Sequence, residues 1–400
     1  MISDLGDPQP DRSLSLRRIA FAIVALYLLS FAQVSPAGAS PMRLSALGAQ
    51  SWLVFDVTNL QQHPSLARTF AHADVELFDE WAGAVVPIGT SGAVGLFLNR
   101  PTPSIGRLND YTATTGSRAF RSLVSTPWLD GVASMKLGGS TDVGVALRAA
   151  HDRSHRGAAE ASTSLRQALI GLSFGAGKSR GLDVTVRLDQ VAFRDRDKGF
   201  SASETDGTGL GVEVRGRWQL QSGLHTIPWI SWEQSKAGLA PESRTLTVLQ
   251  SGLGINARPN ASTLVVAGVM LGVYEEEVID ATGVVRRHRV VQLPTTLGGI
   301  EVQAGSMSIR VGIRHCAEWV QRTAEELDND KLLPLTSGVT DESFSTHLVS
   351  HLGVGFRFGD VAVDGLLRKQ ILRDGPYLLT GNTDEGGLFT NLSLTYFLFD

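Results

Sequence analysis

From about residue 127 to its end the chain alternates apolar and polar residues one for one, in segments of about 10 to 18 residues separated by turn-forming clusters. That period of two belongs to a strand whose two faces meet different surroundings. In Gly207 to Leu220 one face carries Leu210, Val212, Val214, Trp218 and Leu220, and the other Glu213, Arg215, Arg217 and Gln219. Leu182 to Asp189, Ser306 to Arg314 and Phe344 to Phe358 repeat the pattern. A helix would mix these residues on one surface, so the segments read as strands.

The connections then separate a soluble sandwich from a closed wall. Short turns fall at Gly89–Gly92, Gly138–Thr141, Lys178–Gly181, Gln221–Gly223, Arg258–Ala261, Gly305–Ser306 and Gly359–Asp360. Between them lie longer polar links at His151–Ala161, Arg196–Thr208, Asp280–Gly283, Thr323–Glu342 and Gly375–Gly386. Regular exchange of short and long connections predicts an up-and-down transmembrane β-barrel with periplasmic turns and outer loops. Thirteen strands are legible back to about residue 127, and Trp81–Gly89 and Ala93–Asn99 add two. Ser51–Val57 and Ala73–Phe78 read either as strands or as part of a plug. An even count is required, so about sixteen strands are expected, with fourteen as the alternative. Pro101–Pro127 is the candidate infolded loop.

The first residues read as an address. Arg12, Arg17 and Arg18 precede the apolar run Ile19–Leu29, and Ala37-Gly38-Ala39 offers a small-x-small cleavage site, so residues 1–39 are expected to be a signal peptide. Residues 40–80 form an N-terminal segment, plug or first strands, and 81–400 the barrel. No later stretch is apolar for the eighteen or so residues of a spanning helix, so any further membrane crossing must use strands. The expected location is the outer membrane of a Gram-negative-type cell, with its lipid as the main partner. A net charge of −4 gives no reason to expect nucleic acid. Cys316 is the single cysteine and cannot form an internal bridge. Gly is abundant at 43 residues.

Chemistry-bearing motifs are few. Gly177-Lys178-Ser179 lacks the first glycine of a phosphate loop and runs into a strand, so it reads as a turn. Arg194–Asp206 lacks calcium-loop spacing and reads as a solvated outer loop. Ser345, His347 and His351 share a face and would offer a nucleophile and base to a barrel lipid hydrolase, the less favoured reading. Residues two apart on a strand point in parallel, and no carboxylate stands nearby to orient the base. No enzyme activity, metal or cofactor is therefore expected. Arg187, Glu213, Arg215, Arg217, Arg310, Arg314, His347, His351 and Arg357 fall on the polar parity and are expected to line the lumen and meet solute. Their excess of arginine points to a weak anion preference or a carboxylate or phosphate site. The expected function is a passage, formed or gated, for small or hydrophobic solutes. The alternative is a structural or surface barrel without transport.

The final strand, Gly387–Asp400, resembles the C-terminal signal by which outer-membrane barrels engage their assembly machinery, with Leu388, Leu392, Leu394, Tyr396 and Leu398 on one face. It departs in ending on Asp400 after Phe399. Asn59–Arg68, with His63-Pro64-Ser65-Leu66-Ala67, and Gly-alternating strands such as Leu352–Asp364 resemble the long-chain fatty acid transporter and PorV-like group of barrels. Gln62-His63 stands where that group has Asn. The resemblance implies the barrel and carries over no cargo site.

Overall fold

The computed structural model describes residues 40–77, 80–102, 127–156, 159–175, 180–196, 203–239, 242–279, 285–325, 341–367 and 389–398. Sixteen strands run in sequence order: β1 His72–Glu76, β2 Trp81–Ile88, β3 Gly92–Leu98, β4 Pro127–Gly138, β5 Thr141–Arg156, β6 Ala159–Phe174, β7 Arg180–Arg196, β8 Ser203–Gln221, β9 Leu224–Leu239, β10 Glu242–Asn260, β11 Thr263–Ile279, β12 Val285–Ala304, β13 Met307–Glu325, β14 Asp341–Phe358, β15 Val361–Leu367 and β16 Phe389–Phe397. Each pairs antiparallel with its neighbours in sequence, and β1 pairs with β16 from His72↔Phe397 to Glu76↔Ser393. The sheet is a closed up-and-down barrel. Closure gives every strand two partners and abolishes the unpaired edges that lipid does not tolerate.

The alternating sequence is what this wall requires. On β13, Ile309, Val311 and Ile313 are exposed outward while Ser308, Arg310 and Cys316 are buried inside. Leu210, Trp218, Leu348 and Phe356 mark the same outer face on β8 and β14, with Val212, Val214, Leu352 and Val354 half-buried beside them. A belt of exposed Val, Leu, Ile, Phe and Trp around a water-soluble protein would be an extreme aggregation hazard. Around a barrel it is the lipid-facing band.

Several connections are shorter than the sequence suggests. Among the described residues, His151–Arg156 and Ala159–Ala161 continue β5 and β6, and Arg194–Arg196 and Ser203–Thr208 continue β7 and β8 as paired strands. Polar composition there signals strand that has left the hydrocarbon, not loss of pairing. The ladder Glu275↔Arg289, Glu276↔His288 and Glu277↔Arg287 does the same between β11 and β12, since opposite charges across a rung support pairing in water. The expected signal peptide, the phosphate-loop look-alike, the infolded link beyond residue 102 and the link Gly375–Gly386 lie outside the described residues.

Residues 40–70 occupy the lumen. Helix α1, Pro41–Ala46, starts with Ser40 accepting from the Arg43 amide and with Pro41 in its first turn, where a missing N–H costs nothing. Two 3-10 turns follow, Val57–Gln61 and Pro64–Leu66. Asp56 accepts from the Thr58 amide and Asn59 from the Asp56 amide, a reciprocal cap that closes the first of them. Ser51–Val57 is thus plug, and Ala73 belongs to β1.

Candidate functional site: a plugged lumen

The plug is seated by two apolar clusters. Leu47, Trp52, Leu53 and Val54 pack on Ile227, Trp229, Leu264, Val266, Met270 and Leu297. Trp52 stacks on Trp229 with centroids 5.5 Å apart and planes at 8°. Leu60, Leu66 and Ala67 pack on Trp81, Val85, Ala93, Phe97, Val132, Ala146 and Leu169. Where plug backbone meets wall, the wall residue is glycine. A Cβ at Gly312 would lie 2.6 Å from Leu47 O, and one at its rung partner Gly299 would lie 3.0 Å from Leu47 C. A Cβ at Gly144 would run into the Pro64–Ser65 peptide. Only a residue without Cβ lets two backbones come this close.

Between the apolar clusters run ion pairs. Arg43 donates to Glu301 through Nε at 2.6 Å and Nη2 at 3.0 Å, and Arg310 joins Glu301 to Asp364, which accepts from Ser40 Oγ at 2.7 Å. Burial disfavours the Arg43 charge, yet Glu301, Asp56 and Asp364 outweigh it and hold the guanidinium above its ordinary pKa. Asp56 sits 4.0 Å from Arg43, and burial pushes its carboxyl up to about 6 against Arg43 and the Thr58 hydrogen bonds. His63 is fully buried with Nδ1 2.9 Å from Thr185 Oγ1 and Nε2 3.2 Å from Glu213, which also accepts from Trp229 Nε1 at 2.9 Å. Ser65 meets Ser173, and Arg68 grips Asp142 at 2.8 and 3.2 Å. Such buried pairs cost desolvation nearly equal to their attraction, so they specify one seating more than they deepen it.

Every arginine, histidine and glutamate expected to line the lumen stands on an inward parity. Arg187 pairs with Asp189 at 3.0 Å and Glu233 at 2.6 Å, and Arg215 with Asp183 at 2.6 Å. Arg217 lies 3.6 Å from the same Asp183, with its guanidinium carbon 3.7 Å from the centre of the Phe55 ring. Arg310 belongs to the plug lock, and Arg357 donates to Gly359 O at the short-turn rim. Arg314 borders the open chamber described below. His347 stands opposite Cys316 and His351 opposite Gly312. Ser345, His347 and His351 stay spread along one strand, roughly 7 and 13 Å apart at 3.3 Å per residue. Arg187, Arg215 and Arg310 are therefore answered by acids of the barrel wall on the same or nearby strands.

Above the plug, toward the long connections, a chamber of about 850 Å³ remains. Its floor is Gln50, Ser51, Trp52, Gln61 and Gln62, and its wall includes Arg244, Tyr274, Glu276, His288 and Arg314. Arg244 pairs with Glu276, and Tyr274 links Gln250 at 2.6 Å to Gln292 at 3.2 Å.

A closed sixteen-strand wall with an apolar outer belt and a polar, filled lumen defines an outer-membrane β-barrel closed by its own N-terminal segment. No family model and no curated protein matches the chain. Among solved structures, it is similar to the alcaligin outer-membrane receptor FauA from Bordetella pertussis, with 10% identity, 82% of this chain and 75% of that one covered, and a TM-score of 0.38. It is likewise similar to the ferric-catecholate import receptor Fiu from E. coli K12 in its closed form, at 9% identity over 74% and 49% of the two chains, TM-score 0.41. The copper transporter OprC follows at 7% identity over 74% and 66%, TM-score 0.33. The chain spans about half the length of Fiu. Likeness this distant is that of large barrel walls, and no ligand or mechanism is taken from it. The resemblance to the fatty acid transporter group finds no support in these comparisons.

Proposed function

We propose that this protein is a gated passage for small solutes across the outer membrane, with residues 40–70 as the gate. The observation carrying the reading is the match between wall and filling. Sixteen strands enclose a lumen wide enough for an aqueous channel, and here that width is taken up by a short segment held through buried, titratable and polar contacts. A purely structural barrel gains nothing from a wide lumen filled so expensively. The chamber over the plug receives solute from the long-connection side, and its mixture of Trp52, Tyr274, glutamines and paired charges suits a solute that is neither wholly apolar nor highly charged.

Proteoliposome swelling with neutral solutes of graded size tests the reading. The full chain is expected to admit solute slowly, and Arg43→Ala, which removes the Glu301 and Asp56 contacts, to admit it much faster. If neither protein passes any solute while both remain correctly folded, the structural role replaces the passage.

A further inference from the structure

Among the described residues much of the inner-wall charge is paired, while the short-turn mouth of β8, β9 and β10 gathers positive charge with little to answer it. Arg217 shares Asp183 with Arg215, which holds that carboxylate closer, at 2.6 and 3.1 Å. Arg217 is 6% exposed, and its Nε and Nη2 have no hydrogen-bond partner among the described residues. A guanidinium buried to that degree without its donors served is costly, so a partner is to be expected. Its surroundings add positive charge. His225 stands inward on β9, opposite Gln219 of β8 and Asn256 of β10, one inward step from Arg217. Arg258, the next inward residue on β10, is exposed at the rim, where its amide donates to Gly223 O. Among the described residues Asp183 is the carboxylate that reaches Arg217, and Arg215 holds it closer. Phe55 of the plug packs against Arg217, its ring centroid 3.7 Å from the guanidinium carbon.

We propose that Arg217, His225 and Arg258 form a binding site for a small oxyanion, of the phosphate or carboxylate class, at the short-turn mouth of the barrel. The planar fork of arginine matches such oxygens in pairs, and Arg258, two strands along the wall on β10, adds a second positive charge. The site stands on this cluster alone and does not depend on whether the passage opens.

Calorimetric titration of the full chain in detergent at low ionic strength, with inorganic phosphate in one series and acetate in another, tests it. Saturable binding of at least one anion is expected in the wild type. Arg217→Gln together with Arg258→Gln should weaken it tenfold or more, while Arg287→Gln, exposed at the opposite rim, leaves it unchanged. Heat-modifiable gel migration reports folding of each variant. Should the double variant misfold, Arg258→Gln alone, at an exposed site, should still weaken binding severalfold. Absence of saturable binding to wild type, or equal affinity in folded variants, overturns the proposal. Phosphate binding without acetate binding, or the reverse, assigns the class.

Discussion

Gly312→Ala is the sharpest perturbation of the gate. The new methyl would stand 2.6 Å from Leu47 O and nearer still to Leu47 C and Gly48 N. Bringing the nearest of these atoms out to the 3.4 Å of an ordinary contact takes a shift of about 1.2 Å. All three obstructing atoms are main chain, so no rotamer change relieves the clash, and Gly48 itself holds φ +60° against Ile313. Moving Leu47 also drags Arg43, whose 2.6 Å bond to Glu301 lies one helical turn away. Overpacking of this kind costs about 1 to 3 kcal/mol, or roughly 5- to 150-fold in the ratio of unseated to seated plug. Single-channel recording in planar bilayers measures that ratio as the fraction of time open. Gly298→Ala is the matched control, because its methyl would meet only Ile313 Cγ2 at an ordinary 3.6 Å. If Gly312→Ala assembles normally and stays as quiet as Gly298→Ala, the idea that close backbone approach seats the gate is wrong.

Further outcomes follow from other parts of the molecule. Val311→Arg places a charge on the exposed outer face of β13 and should cost roughly 2 to 4 kcal/mol near mid-bilayer, read as loss of the heat-modifiable folded band; full assembly would mean the faces are reversed. Asp56 has its pKa raised from 3.8 to about 6, so the folded state binds the extra proton and plug seating weakens as pH rises from about 4 to 6. Asp56→Asn should abolish that dependence and tighten the plug at pH 7.5 by on the order of 3 kcal/mol, seen as slower amide exchange over residues 41–70, with equal exchange in both proteins counting against it. An epitope placed between Ala261 and Ser262 should be reached by antibody only after permeabilisation, and one in the link Asp280–Gly283 on intact cells; the opposite pattern inverts the topology.

The wall was readable from the sequence because strand parity is a local signal. Residue 309 faces lipid because 307 and 311 do, and each turn resets the count independently. The gate was not, for reasons visible in particular residues. Glu301 locks the plug, but it sits beyond the irregularity between Leu293 and Thr296, where β12 changes which parity faces inward. His288, Val290 and Gln292 line the chamber above it, and Thr295, Leu297 and Glu301 are buried below. Asp364 lies on a strand of only seven residues, too short to show a period. Arg187 also meets Glu233 on β9, two strands away, a pairing that a reading of each strand by itself does not show. The plug itself has no periodicity to betray it. Its signal was the abundance of glycine, whose meaning depends on what backbone lies opposite, and sequence spacing alone does not contain that.

The pairing of β1 with β16 has a consequence for how such a molecule is made. Residues 40–70 leave the lumen directly into His72, the first residue of the wall, and that first strand finds its second partner in Phe389–Phe397, the last. The ring therefore stays open until translation and export have delivered the whole chain, and the plug waits beside an unfinished sheet. Its wall contacts are strung along the route: Ser65 with Ser173, His63 with Glu213, Arg43 with Glu301, Ser40 with Asp364. Were the hairpins to join in chain order, each would meet a further stretch of plug in reverse chain order. The plug would then act as a former around which the sheet curls, and loop-closure entropy, which grows only logarithmically with length, puts little extra penalty on the final joint. A plug that seats poorly would then be felt first as slow or failed ring closure, before any leak through the finished barrel.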